Sequence, residues 1–224
     1  SDAEAIRDVL FNSEPRPDIN TRTVIQMSTI APEESQRLKS DIEKAAGRYL
    51  EAPVLGSTPQ AKEGKLMVMV GADEKTQFEQ WSEVLNCFSS EPLFIGSVGQ
   101  AAALKLALNQ LIASLSAAFS YSLGIIRRRD IDVVLFMKIL KDSPLFAPQF
   151  EKKLPRLLKR EFSDPNFPTK HLRKDVELAL KEGETLGLNT ASISGILEIL
   201  QQALEEGWSE TDYSSIYNVI QPER

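Results

Sequence analysis

From Ser97 to Ile126, thirty consecutive residues carry a single charge, Lys105. So long an apolar run has three possible homes: a bilayer, the protein interior, or a face covered by another subunit. Gln100, Asn109, Gln110, Ser114, Ser116, Ser120, Tyr121 and Ser122 all lie within it. A lysine at mid-bilayer adds a further ~2.5–3.5 kcal/mol on insertion scales. This polar content favours a buried helix over a membrane span.

The sequence on either side of the run differs in kind. Before it, helical and extended patterns alternate. A helix is predicted over about 2–12, then a β-branched strand at Thr23–Met27, and a helix opened by Pro32 with Leu38, Ile42, Ala45 and Ala46 on one face. Tyr49–Val54 reads as a second strand and Leu66–Val70 as a third, the latter continuously apolar as in a strand buried on both faces. Asp73 is placed as the cap of a helix containing Phe78, Trp81, Val84 and Leu85, with Cys87 in the core near its end, and Leu93–Ile95 as a last short strand. Strands alternating with helices predict a mostly parallel sheet covered on both faces. After Arg127–Arg129 the pattern is helical throughout. Asp130 caps one helix, Pro144 and Pro148 break it, and further helices fall near 150–159, 170–187 and 191–206. The expected division is therefore 1–96, an α/β part, and 97–224, the long helix with an all-α part.

Composition excludes several classes of function. With 26 Lys+Arg against 32 Asp+Glu, the chain has net charge −6, which argues against a general nucleic-acid binder. One cysteine rules out an internal disulfide framework and any multi-cysteine zinc site. One histidine, His171, rules out a metal site built on two or three histidines of one chain. The 11 glycines never stand two residues apart, so neither G-x-G-x-x-G nor a P-loop is present. Charge is unevenly placed: residues 127–174 hold 13 Lys+Arg and 6 Asp+Glu. Such a local excess attracts anions, although most of these charges read as a solvated helix surface.

Lys105 is the strongest candidate for chemistry, because lysine is seldom buried without a partner. Asn109 follows at i+4, on the same helix face, with Ser116 roughly continuing the stripe. A lysine flanked by an amide in a desolvated cleft suits proton transfer. The alternative is a lysine that snorkels from the first turn of its helix to water. Two loops, Ser28-Thr29 and Leu55-Gly56-Ser57, follow strand ends, where ligands collect in open α/β sheets. Ser28 or Thr29 serves equally well as the N-cap before Pro32, and Gly56 as a turn residue. Lys170-His171-Leu172-Arg173-Lys174-Asp175 opens the long helix with cations able to meet phosphate or carboxylate, or simply with a polar helix start.

In this order and spacing, Gln26–Ile30, Leu50-Glu51-Ala52-Pro53-Val54-Leu55-Gly56-Ser57, Gly96-Ser97-Val98-Gly99 through Lys105 to Asn109, and Lys174-Asp175 form a pattern. It resembles the β-hydroxyacid dehydrogenase family, and within it the glyoxylate/succinic semialdehyde reductase branch, over essentially the whole chain. The resemblance implies the C-terminal part of a Rossmann domain (α/β), then a long interdomain helix and an all-helical domain. It implies a cytoplasmic, NADP- or NAD-dependent oxidoreductase of a small carboxylate-bearing substrate, without nucleic-acid or membrane partners, and a homodimer or homotetramer. Lys105 would be the general acid/base, and Asn109 would orient substrate. Leu55, Gly56 and Ser57 would form the substrate loop, whose backbone N–H groups grip the carboxylate. Thr29, Lys174 and Asp175 would contact the cofactor, with no metal.

Two departures from the family pattern stand out. Leu55 occupies the place of a family serine, which removes one hydroxyl hydrogen bond to substrate. The glycine-fingerprint βαβ unit lies outside the 224 residues, so the chain alone is expected to bind cofactor poorly. Together these departures motivate an alternative, a non-catalytic dehydrogenase-like module that oligomerises or binds partners.

Overall fold

The computed structural model describes residues 2–223. The chain forms two compact units, the first ending at Leu108 and the second beginning at Asn109.

The first unit starts with α1 (Ala3–Arg7), whose first-turn N–H at Ala5 donates to the Asp2 carboxylate at 2.9 Å. Asp8–Asn12 continues it as one π-helical turn. β1 (Thr23–Gln26) leads to α2 (Pro32–Lys44), where Pro32 occupies the first turn, a position that needs no N–H partner. The N-cap of α2 is Ala31, whose N–H donates to Glu34 Oε2 at 2.8 Å. Neither Ser28 nor Thr29 takes that position. β2 (Arg48–Glu51) and β3 (Val54–Leu55) precede α3 (Thr58–Lys62) and β4 (Met67–Gly71). α4 (Lys75–Gln80), α5 (Ser82–Leu85) and β5 (Leu93–Gly96) complete the unit up to the long helix.

The sheet corrects the expectation of mostly parallel pairing. β1 and β2 are parallel, as are β4 and β5, but β4 runs antiparallel to both β2 and β3. The span expected as one strand, Tyr49–Val54, is two, interrupted at Ala52-Pro53. Proline cannot donate to a ladder, and β3 folds back on β4, with Val54 opposite Val68. Only the five-residue α3 lies between β3 and β4, too little for the helical crossover that a parallel return requires.

Both faces of the sheet are covered. On β2, Tyr49 points to a core with Ile30, Leu38 and Ile42 under α2, and Leu50 to a second core with Val68, Val70 and Leu85. The period-2 alternation of a strand produces this division. The turn after α5 places Cys87 on the surface rather than in the core: Leu85 takes the buried position, and the Cys87 thiol lies 3.5 Å from the Glu83 carbonyl. Asp73 pairs with Lys39 instead of capping α4, whose N-cap is Glu74.

α6 (Gln100–Arg128) accounts for the apolar run. By length and composition it is long enough to cross a membrane. Ala113, Phe119 and Leu123 are nonetheless buried in the second unit's core. Asp130, with φ 54°, ends the helix region in a left-handed turn, and Asp132 is the true cap of α7 (Val133–Lys141), accepting from Val134 N–H at 2.9 Å. α8 (Pro148–Lys159), α9 (Thr169–Thr185), α10 (Ala191–Glu205), a 3₁₀ turn at Tyr213–Ser215 and α11 (Ile216–Ile220) follow. One core joins Ala113 to Leu172, Val176, Leu200 and Ile216. The other is aromatic, with Phe119 and Phe150 stacked at 4.6 Å.

Candidate active site

In the first unit, Thr29 follows the carboxyl end of β1, with Gln26 anchoring the turn by donating from Nε2 to the Ser28 carbonyl at 2.9 Å. Leu55 closes β3 and is half-buried. Gly56 adopts φ 142°, and a Cβ there would stand 2.6 Å from Leu66 Cδ2, so this turn requires glycine. Ser57 is the N-cap of α3. Its N–H and its hydroxyl both donate to Gln60 Oε1, at 3.0 and 2.5 Å. The loop N–H at Ser57 is thus already engaged by the side chain three residues on.

Lys105 lies on the second turn of α6 and is 8% exposed, far more enclosed than a lysine lying along a helix surface. The start of its helix is anchored from below. Gly99 N–H donates to Glu51 Oε2 at 2.6 Å, and Ala102 N–H to Glu51 Oε1 at 2.7 Å. Glu51 also accepts from Ser35 Oγ at 2.5 Å, and that hydroxyl lies 2.8 Å from Tyr49 Oη. Burial and the Glu51 charge push the Tyr49 phenol well above its ordinary range, keeping it a neutral hydrogen-bonding group.

In the second unit, three residues singled out in the sequence come together. Asn109 Nδ2 donates to Asp175 Oδ2 at 2.6 Å, and Asp175 Oδ1 lies 2.9 Å from Lys174 Nζ. Asn109 and Asp175 are buried, while the Lys174 side chain is 22% exposed. Asp175 therefore orients an amide with one oxygen and a cation with the other. His171, in the first turn of α9, is partly buried, and its imidazole is held below its usual value chiefly by that burial. Among the described residues no group of three or more His, Cys, Asp or Glu side chains is gathered for a metal ion.

The chain fits a dinucleotide in part. Thr29 stands at a strand's carboxyl end, where ligands of α/β sheets gather, and Lys174 is an oriented cation. No turn in the 224 residues has the glycine pair that lets pyrophosphate approach a helix N-terminus.

The comparisons decide the family. Residues 99–220 match the model described as NAD-binding of NADP-dependent 3-hydroxyisobutyrate dehydrogenase, and residues 2–98 the model of the NAD binding domain of 6-phosphogluconate dehydrogenase. The chain belongs to the β-hydroxyacid dehydrogenase family. It is 29% identical over 196 residues to glyoxylate/succinic semialdehyde reductase 1 of Arabidopsis thaliana, covering 88% of this chain and 67% of that one. It is also 29% identical over 223 residues to 2-hydroxy-3-oxopropionate reductase of Escherichia coli K12, covering 98% of this chain and 75% of that one. A 3-hydroxyisobutyrate dehydrogenase from Salmonella typhimurium shares the fold, with a TM-score of 0.85 at 20% identity over 97% of this chain and 76% of that one. The β-hydroxyacid dehydrogenase match accounts for both parts of the architecture: a Rossmann-like NAD-binding domain followed by a helical one. Both models are NAD-binding models, so the family's cofactor is NAD or NADP. The chain spans 54% of the chloroplastic reductase 2 of the same plant, so it corresponds to a part of such relatives.

Sequence reasoning missed Glu51 as an anchor, Ser35 and Gly71 beside it, Gln60 on the loop, and the buried pair Lys153–Asp212. The signal for Glu51 was present: it is the only charge between Tyr49 and Gln60.

Proposed function

We propose that this chain is the catalytic part of an NAD(P)-dependent reductase that interconverts a small semialdehyde or 2-oxo acid and its hydroxy acid. The observation that carries the reading is the enclosed Lys105, one turn before Asn109 on α6, with Asn109 tied to Asp175. A bound nicotinamide supplies the hydride. Lys105 Nζ donates a proton to the carbonyl oxygen of the substrate, and in the reverse direction takes it from the hydroxyl. Asn109 orients substrate through an amide whose rotamer Asp175 fixes. The turn at Leu55-Gly56-Ser57 receives the substrate carboxylate through backbone N–H groups, displacing the Gln60 contact at Ser57. Thr29, Lys174 and Asp175 serve the cofactor, with Lys174 the cation for its anionic part. The names of the relatives point to glyoxylate, succinic semialdehyde and 2-hydroxy-3-oxopropionate as the substrates to try first.

A homodimer or homotetramer goes with this reading. Val134, Ile139 and Leu145 of the helical unit are 76%, 62% and 75% exposed, apolar side chains that a second copy would cover. The non-catalytic alternative is not favoured, because Lys105 and Asn109 are both retained.

The test is NADPH or NADH oxidation with those three compounds, paired with a binding titration of each nicotinamide. Turnover with any of them supports the assignment. Cofactor binding without turnover on a panel of small semialdehydes and 2-oxo acids would refute it.

A further inference from the structure

The Glu51 carboxylate joins two parts that the proposed chemistry needs held together, and all of the contacts lie inside the first unit. Glu51 is the last residue of β2, and the chain leaves it through Ala52-Pro53 into β3 and the turn Leu55-Gly56-Ser57. Its two oxygens accept the N–H groups of Gly99 and Ala102, and Ala102 precedes Lys105 by less than one helical turn. One side chain thus ties the strand that feeds the loop to the helix that carries the lysine.

The fit is specific to a carboxylate. Three donors converge on it at 2.5–2.7 Å, from Ser35 Oγ, Gly99 N and Ala102 N, and an anion at a helix N-terminus complements the helix dipole. Glu51 is 1% exposed, so these contacts have no competition from water. The space is reserved as well: Gly71, directly opposite Glu51 in the β2–β4 ladder, would with a Cβ approach Glu51 Oε1 to 2.8 Å. A glycine ends the otherwise bulky strand Met67–Gly71 where the carboxylate lies.

We propose that Glu51 is a positioning residue that sets Lys105 relative to the Leu55–Ser57 turn, through its hydrogen bonds to the first turn of α6. This rests on the assignment of Lys105 as acid/base, and the experiment separates the two. Glu51→Gln, Glu51→Asp, Gly71→Ala and Lys105→Ala are compared with the parent chain by three readings. The first is acetic anhydride labelling read peptide by peptide, with the buried Lys153 of the second unit as control for general unfolding. The second is amide exchange at Gly99 and Ala102, and the third is kcat against KM. In Glu51→Gln, Lys105 labelling should rise about tenfold while Lys153 stays protected, and both amides should exchange about tenfold faster or more. kcat should fall about 10- to 100-fold with cofactor affinity unchanged, the size expected of a small misplacement of a reacting group. Glu51→Asp, which keeps the charge but withdraws it by one methylene, should recover part of each change, and Gly71→Ala should reproduce them in weaker form. Unchanged labelling and exchange in Glu51→Gln would overturn the proposal. So would a rise shared equally by Lys105 and Lys153, or altered labelling with undiminished kcat. If Lys105→Ala turns over normally, the acid/base assignment falls, while labelling and exchange still decide whether Glu51 holds the helix start.

Discussion

Asn109 Nδ2 on α6 donates to Asp175 Oδ2 on α9 at 2.6 Å, while the other oxygen of Asp175 lies 2.9 Å from Lys174 Nζ. A single buried carboxylate thereby fixes an amide proposed to meet substrate and a cation proposed to meet cofactor. Replacing Asp175 by Ala removes this hydrogen bond from Asn109, and a hydrogen bond to a charged group contributes about 1.5–3 kcal/mol. Thermal unfolding of Asp175→Ala should show a lower midpoint, and nicotinamide titration a weaker affinity. A midpoint equal to the parent's would contradict the structural part of this account.

Lys105→Ala should lower turnover by about 10²–10⁴-fold, the range typical of a lost general acid/base. Cofactor affinity should be nearly unchanged, because the change removes a proton donor rather than a cofactor contact. Steady-state kinetics and a fluorescence titration on the same preparation check both halves.

Leu55→Ser restores a hydroxyl beside the proposed carboxylate site. A hydrogen bond to a charged group contributes ~1.5–3 kcal/mol, so KM for a carboxylate-bearing aldehyde should fall by about tenfold or more. An aldehyde of the same length without the carboxylate serves as control, and its KM should not move. Equal improvement for both compounds would argue against a carboxylate contact at this turn.

The second unit holds a buried ion pair, with Lys153 Nζ 2.7 Å from each oxygen of Asp212 and 4.2 Å from the centre of the Tyr213 ring. Burial alone would raise the Asp212 carboxyl, but Lys153 and the Ser214 donors outweigh it and hold the group below the usual carboxylate range. Burial pulls the Lys153 ammonium down while Asp212 pushes it up, and with two contacts at 2.7 Å we take the pair as ionised. Lys153→Met should destabilise this unit by about 3–5 kcal/mol, because it strands a buried charge, and Lys153→Met with Asp212→Leu should cost less than the two single changes summed. Denaturant unfolding of the four proteins of the cycle measures the coupling.

The same pair determines an acid limb. Because the folded-state value of Asp212 lies below the unfolded one, its contribution is fully present above the unfolded carboxyl value of about 3.9 and is lost as pH falls through the folded-state value. Stability of the parent minus that of Asp212→Asn, followed between pH 6 and 2, should therefore stay flat and then shrink in the acid range.

Much of this molecule was legible in the sequence, because local patterns carried it. Strand and helix periodicity outlined β1, β4 and the helices α6 to α10. The single charge in the apolar run drew attention to Lys105, and four ordered blocks pointed to the family. What local patterns could not provide was pairing across distance. The direction of β4 depends on which strand it meets, and Pro53 with the short α3 made that pairing antiparallel. Cys87 reads as apolar but lies past the end of α5, and Asp130 reads as a cap but is displaced two residues by a left-handed turn.

The sequence by itself determined that a long, nearly uncharged helix would join an α/β part to an all-α part, since a thirty-residue run with a single charge favours burial of its apolar face whatever its neighbours. Only the tertiary structure decided which groups meet. Glu51 lies 48 residues from Gly99, and Asn109 lies 66 from Asp175. A carboxylate shows no preference in sequence among distant N–H groups or amides, so its partners exist only once the sheet and helices have packed. Those two carboxylates now define how the candidate residues are held, Glu51 in the first unit and Asp175 in the second.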